Sequence, residues 1–299
     1  MYSDRSSPLS LACTMPSARR SSRAGRAHGR PVPDAIRWLH LRFDLRRVSR
    51  GGEWVPTRID QVRHTPPSSA DAYNSRMAFN PSLTELTTSV TDGVLAIEAV
   101  LAIVWLRRGP NARSWRTTMW SWVFGLVACS SFLGTVVHGL DLSEFVHEAI
   151  WKPLYLSLGI LVAMFAVGAI ADWRGWAFAK RLVPWGIVIG TAFYGLTELL
   201  NGAFNFFVVY EGVALVSAFA IYSYLAATAR LDGAAIVAVA ILVNLIAAGL
   251  QASTVSINII VPLNHNGVFH LVQMIGTALL AVGIRRGMSN APANPATIP

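Results

Sequence analysis

Seven long apolar runs dominate the chain from residue 77 onward. They cover roughly 86–106, 117–139, 147–171, 183–201, 206–228, 233–255 and 267–285. A transmembrane helix needs about 20 mainly apolar residues, because the hydrocarbon layer is about 30 Å thick and a helix rises about 1.5 Å per residue. The shortest break is the turn signal at 201–205, between the fourth and fifth runs. The pattern therefore predicts an all-α membrane protein, a bundle of seven transmembrane helices.

Basic residues mark one side of this predicted bundle. Ten of the eleven Lys and Arg residues after residue 76 flank the runs on the same side, and Lys152 lies near the other. Because short cytoplasmic loops carry an excess of Lys and Arg, the amino end is predicted outside and the carboxyl end in the cytoplasm. We expect an integral, multi-pass protein of the plasma or inner membrane.

Composition agrees with a membrane location and separates off the amino-terminal part. Of the 299 residues, 53% are hydrophobic and 14% are charged, whereas soluble domains carry about 25% charged residues. Residues 1–76 hold 14 Lys and Arg against 6 Asp and Glu, so most of the net charge of +9 lies there. Residues 1–34 consist mainly of Arg, Ser, Pro and Gly, a composition typical of disorder. We predict a disordered basic tail over 1–76, a helical domain over 77–288 and a disordered tail over 289–299.

Three explanations compete for the basic tail. It contacts nucleic acid or lipid headgroups, it is an organelle transit peptide, or the translation start is over-extended and the true start lies near Met77. The last is favoured because "MAFNPSLTE" directly precedes the first apolar run. The two cysteines, Cys13 and Cys129, exclude a disulfide framework and a cysteine-based zinc finger.

Four histidines fall at one end of the predicted bundle. His138 ends the second run, His147 begins the third, and His265 and His270 flank the start of the seventh. Their common depth is independent of the orientation argument, which used only Lys and Arg. Imidazole is the commonest metal ligand, and zinc held by three protein ligands with an open fourth position activates water. We therefore expect three of the four histidines to bind zinc.

The spacing within the last pair sets a condition on this site. His265 and His270 are five residues apart, about 140° around a helix, so they share a face only if His265 precedes the helix. Pro262 and Asn264 favour a helix start at that point. The remaining alternative for the histidines is packing or a proton relay with other ionisable residues of the runs, which are Asp92, Glu98, Glu198 and Glu211.

Three segments carry a resemblance to a known superfamily. They are "SSFLGTVVHG" (130–139), "SEFVHEAIWKPLYL" (143–156) and "NHNGVFHLVQMIGTALL" (264–280). In order and spacing, over residues 85–288, they resemble the alkaline ceramidases and the adiponectin- or progestin-receptor-like (CREST-type) proteins. The resemblance implies a seven-span, zinc-dependent membrane hydrolase in which His138 and His270 match zinc ligands.

The chain departs from the family pattern at three positions. Gly134 occupies the serine position four residues before His138, although Ser131 and Thr135 are near. The first histidine of the last motif falls on Asn266, with His265 one residue earlier, and the acidic position falls on Ala149, beside Glu148. Either the site has shifted its register along the chain or the metal has been lost.

These observations lead to one functional expectation and two rivals. We expect a zinc-dependent hydrolase that cleaves an amide or ester bond of a lipid-like substrate entering from the outer leaflet. Glu148, or else Asp141, would act as general base, and Thr135 or Ser131 would orient the developing oxyanion. The expected partners are membrane lipids and this substrate, with no nucleic acid. The rivals are a proton-coupled small-solute transporter and a heptahelical sensor that use the same residues without metal.

Overall fold

The computed structural model describes residues 78–109, 111–200, 204–258 and 260–289. The predictions for the basic tail, for Met77 and for residues 290–299 lie outside the described residues. The helices are α1 (Leu83–Arg107), α2 (Trp115–Gly139), α3 (Glu144–Arg174), α4 (Trp176–Ala179), α5 (Val183–Leu199), α6 (Phe204–Ala227), α7 (Ala234–Gln251) and α8 (His265–Ser289). Two short antiparallel strands, β1 (Ile257–Asn258) and β2 (Pro262–Leu263), form a hairpin before α8.

Six helices of the described chain are long and apolar enough to cross a membrane by their length and composition. They are α1, α2, α3, α6, α7 and α8. The fourth predicted run forms α5, which has only 17 residues. The last predicted run ended at residue 285, but α8 continues to Ser289. The fold is therefore helical and compatible with a multi-pass membrane protein.

The six long helices follow one another around a ring. α1 packs against α2, α2 against α3, α3 against α6, α6 against α7 and α7 against α8, and α8 returns to α1. α5 packs mainly on α3. The core of the ring contains large side chains that are fully buried, among them Trp120, Phe124, Tyr222 and Ile241.

Polar caps set the helix starts that face the histidines. The Ser82 hydroxyl accepts a hydrogen bond from the Glu85 backbone N–H at the start of α1. The Asn264 side chain accepts one from the Gly267 backbone N–H, 3.0 Å away, so Asn264 caps α8. The helix begins at His265 itself, so the predicted condition that His265 precedes the helix is not met.

The bundle has two opposite ends, which we name the histidine end and the arginine end. The histidine end contains the end of α2 with His138 and the start of α8 with His265. The arginine end contains the start of α2 with Arg116. Arg116 and His138 are 22 residues apart on one helix, which corresponds to about 33 Å.

The arginine end is held by a buried ion pair. Arg116 Nε and Nη2 donate to the two carboxylate oxygens of Asp172 at 2.7 and 2.9 Å. Tyr222 OH donates to Asp172 Oδ2 at 2.6 Å, and Arg116 Nη1 donates to the Ile284 carbonyl at 3.2 Å. These contacts join α2, α3, α6 and α8. Arg116 directly precedes the second predicted run in the sequence, but in the structure it lies in α2 and is only 6% exposed.

Candidate functional site

A cavity of about 390 Å³ opens inside the ring toward the histidine end. Its wall takes residues from all six ring helices, including Asp92 of α1, Ser131 and His138 of α2, and Trp151 of α3. Glu211 of α6, Gln251 of α7, and His265 and His270 of α8 add further polar groups to the lining. Three of the four histidines singled out in the sequence therefore line one cavity.

His270 is buried between α8 and α1. Its Nδ1 lies 3.1 Å from Thr91 Oγ1, and the Thr91 hydroxyl donates its hydrogen to the Thr88 carbonyl. Because a hydroxyl has one hydrogen, Thr91 Oγ1 accepts from His270 Nδ1–H. A neutral His270 therefore carries its proton on Nδ1 and presents an unprotonated Nε2.

The Nε2 atom of His270 faces a carboxylate. Asp92 Oδ1 lies 3.3 Å away, and both side chains are less than 10% exposed. An unprotonated imidazole nitrogen and an ionised carboxylate are both acceptors. Their close approach in a buried place needs a proton or a cation between them.

The Nδ1 atom of His138 also has a hydrogen-bond acceptor beside it. Its Nδ1 lies 2.6 Å from Glu85 Oε2, and an ionised carboxylate only accepts, so Nδ1 carries the donated hydrogen. The Trp151 ring packs edge-on against the His138 ring, with 5.9 Å between the centroids. Histidines that ligate metals almost always donate their other ring N–H to a carboxylate or similar group, which fixes the ring. Glu85 and Thr91 supply such partners for His138 and His270.

The close packing of α1 on α2 places Asp92 in the cavity. A Cβ atom on Gly134 would lie 2.6 Å from Asp92 Oδ2, so any larger residue would displace this carboxylate. Gly134 is the position at which the superfamily pattern has serine. In this chain the Asp92 carboxylate fills the adjoining space.

The structure separates the other predicted site residues. Ser131 is buried and lines the cavity. Thr135 is not among the residues lining the cavity, and its hydroxyl donates to the Ser131 carbonyl at 2.9 Å. Asp141 and Glu148 are exposed and lie outside the cavity lining. His147 is also exposed, and its Nε2 accepts a hydrogen bond from Trp151 Nε1 at 3.2 Å.

The imidazole nitrogens and the Asp92 carboxylate of the cavity wall are groups that bind divalent metals such as zinc. Two ligands of a tetrahedral zinc ion, each about 2.0 Å from it, are about 3.3 Å apart, which matches the separation of His270 Nε2 and Asp92 Oδ1. Among the described residues, however, no three His, Cys, Asp or Glu side chains already stand together as a metal-binding group. Metal binding would therefore need a side chain to move. His138, which lines the same cavity, would join Asp92 and His270 as the third ligand.

Sequence reasoning placed Asp92 among the relay residues and did not consider Glu85. The signal that could have linked Asp92 to the site is Gly134, because a glycine in the middle of a helix indicates close approach of another group. Glu85 gives no such signal.

Comparison with known families supports one assignment. A family model described as a family of unknown function (DUF6962) matches residues 87–289, which is more than half of the chain. The chain belongs to this family. The matched region contains Asp92, His138, His265 and His270, whereas Glu85 lies two residues before it. Searches of curated proteins and of solved structures gave no match.

Proposed function

We propose that this chain is a metal-dependent membrane hydrolase that cleaves an amide or ester bond of a lipid-like substrate. The observation that carries the proposal is the buried contact between His270 Nε2 and Asp92 Oδ1, which lie 3.3 Å apart on the wall of a cavity. A divalent cation between them would satisfy both. The superfamily resemblance at His138 and His270 points to the same chemistry.

The proposal assigns each cavity residue a role. Asp92, His138 and His270 would hold the metal, which when bound supplies a Lewis acid and lowers the cost of forming a hydroxide nucleophile. Glu85 and Thr91 hold the protons on the Nδ1 atoms of the two histidines, so that each Nε2 stays available.

Proton transfer and oxyanion binding need two further groups. Glu148 and Asp141 were expected to act as general base, but both side chains are exposed, so we assign this role to a residue of the cavity. His265, the remaining imidazole of the cavity, would move a proton between water and the leaving group. The Ser131 hydroxyl would donate to the developing oxyanion.

Orientation and span number are part of the same proposal. The helix α5 would complete seven spans, since its 17 residues are mainly apolar and it is short of a typical span by only a few residues. The histidine end would face the non-cytoplasmic side, because ten of the eleven basic residues after residue 76 flank the opposite side. Substrate would then enter from the outer leaflet.

Metal analysis of the detergent-purified full chain tests the proposal. We expect about one zinc ion per chain, and its loss in His270→Ala and in Asp92→Asn. His147→Ala is the matched control, because its imidazole is exposed and outside the cavity. A folded wild-type protein that stays metal-free after incubation with zinc would refute the metal site. A zinc-loaded protein that cleaves no acyl amide or acyl ester lipid would refute the hydrolase.

A further inference from the structure

Two residues of the cavity wall each carry a buried acceptor atom without a donor. Among the described residues, Glu211 Oε2 and Gln251 Oε1 have no hydrogen-bond partner and almost no exposure to solvent. Glu211 comes from α6 and Gln251 from the last turn of α7, and both residues line the cavity. A buried acceptor without a donor is costly, and an unpaired buried carboxylate is more costly still. These two oxygens therefore indicate a ligand that donates hydrogen bonds.

The surroundings of Glu211 indicate the rest of that ligand. A second cavity, of about 70 Å³, shares five lining residues with the first, and Glu211 is one of them. Its wall is mainly apolar, with Phe124, Phe165, Leu215 and Leu280, and Glu211 is the one ionisable residue among its described lining residues. Along α2 and α8, the two cavities together span about 22 Å, from the level of His138 or His265 to that of Val123 or Leu280. A long apolar chain fits this space better than a fully polar solute.

We propose that the cavity binds an amphiphile whose ammonium group pairs with Glu211 and Gln251 and whose apolar chain extends from the first cavity into the second. An ammonium group has three donors and no acceptor, so it matches a wall that offers two unsatisfied oxygens, one of them on a carboxylate. A hydroxyl would bring one donor and its own acceptor lone pairs. A calcium ion is a poorer match because it takes six to eight oxygen ligands.

The first cavity also offers an aromatic wall that suits a cation. Trp151 and Tyr155 of α3 both line this cavity, and their rings stack with 5.3 Å between the centroids. Aromatic faces attract ammonium groups, and the attraction grows when the groups are desolvated. The wall of α3 would thus help to draw the ammonium group into the cavity on its way to Glu211.

This inference deepens the proposed function and rests on it only for the role of the amphiphile as substrate or product. In that role the hydrolase would act on a lipid that contains an amine, or would release one. Binding itself needs no metal, so it is tested with metal removed by a chelator. A failure of the metal site and a failure of the amine site are then seen in different experiments.

The test compares two ligands of equal chain length on the full chain in nanodiscs of uncharged phosphatidylcholine. A long-chain primary alkylamine and the corresponding alkanol are titrated calorimetrically into wild type, Glu211→Gln and Glu98→Gln. Glu98 is the matched control, because it is a glutamate within α1 that lines neither cavity. A thermal transition recorded for each variant shows that it is folded.

We expect wild type and Glu98→Gln to bind the amine at least about tenfold more tightly than the alkanol, because hydrogen bonds to charged groups are the strong ones. In Glu211→Gln this preference should fall to about twofold or less, with alkanol affinity unchanged. Gln251→Leu should weaken amine binding by a smaller factor. Equal affinity of wild type for the two ligands, or an unchanged preference in folded Glu211→Gln, would overturn the proposal.

Discussion

Asp172→Asn tests whether the buried ion pair at the arginine end holds the bundle together. Asp172 accepts two hydrogen bonds from Arg116 and one from Tyr222, at 2.6 to 2.9 Å, and its side chain is 1% exposed. The variant keeps the shape of the side chain but removes the charge and turns an NH₂ group toward a donor. Arg116 is then left buried without a counter-charge.

The expected loss follows from that geometry. Removing one partner of a buried ion pair costs about 3–5 kcal/mol. For a domain of about 200 residues, this corresponds to a fall in Tm of roughly 6–20 °C. Tyr222→Phe removes one of the three hydrogen bonds and leaves the ion pair, so it should cost about 1.5 kcal/mol.

The assay is thermal unfolding of the detergent-purified protein, followed by circular dichroism. Asp141→Asn makes the same chemical change at an exposed aspartate and should stay within about 0.5 kcal/mol of wild type. The double variant Arg116→Met/Asp172→Leu should recover much of the loss, because a pair replaced by apolar groups leaves no unpaired charge. If Asp172→Asn is as stable as Asp141→Asn, the argument that burial strengthens this pair is wrong.

Two further predictions concern close helix contacts. Gly134→Ala places a methyl group 2.6 Å from Asp92 Oδ2, so it should displace this carboxylate. We expect zinc affinity to fall by about tenfold or more in a chelator competition assay. An unchanged affinity would show that Asp92 is not a zinc ligand. Gly190→Ala drives a Cβ atom to 2.6 Å from the Ile160 backbone and should cost about 1–3 kcal/mol in thermal unfolding. Gly195→Ala on the same helix meets open space and serves as its control, and an equal loss in both variants would contradict the packing argument.

The helices could be predicted from the sequence because their signal is local. Apolar runs of about 20 residues are long enough to be recognised without tertiary information, and polar caps such as Asn264 mark where they begin. The seven apolar runs each contain a helix, and the described residues include six helices of spanning length. The span count and the direction of the chain stay predictions.

The composition of the candidate site could be predicted only in part, because it depends on which face each helix turns inward. Successive helix residues point about 100° apart, so His147 and Glu148 could not be placed from their depth alone. The structure turns both outward, whereas Trp151 faces the cavity. Asp92 enters the site through the packing of α1 on α2, a contact between residues 42 positions apart for which Gly134 gives only an indirect local signal.

The position of α8 in the ring has a consequence for biosynthesis. It comes last in chain order among the described helices, yet it lies between α1 and α7 and carries both His265 and His270. Until it arrives, Thr91 and Asp92 of α1 lack their partner on α8. Nascent chains truncated before residue 265 would leave the Asp92 carboxylate without its imidazole partner, so we expect quality-control proteases to remove them.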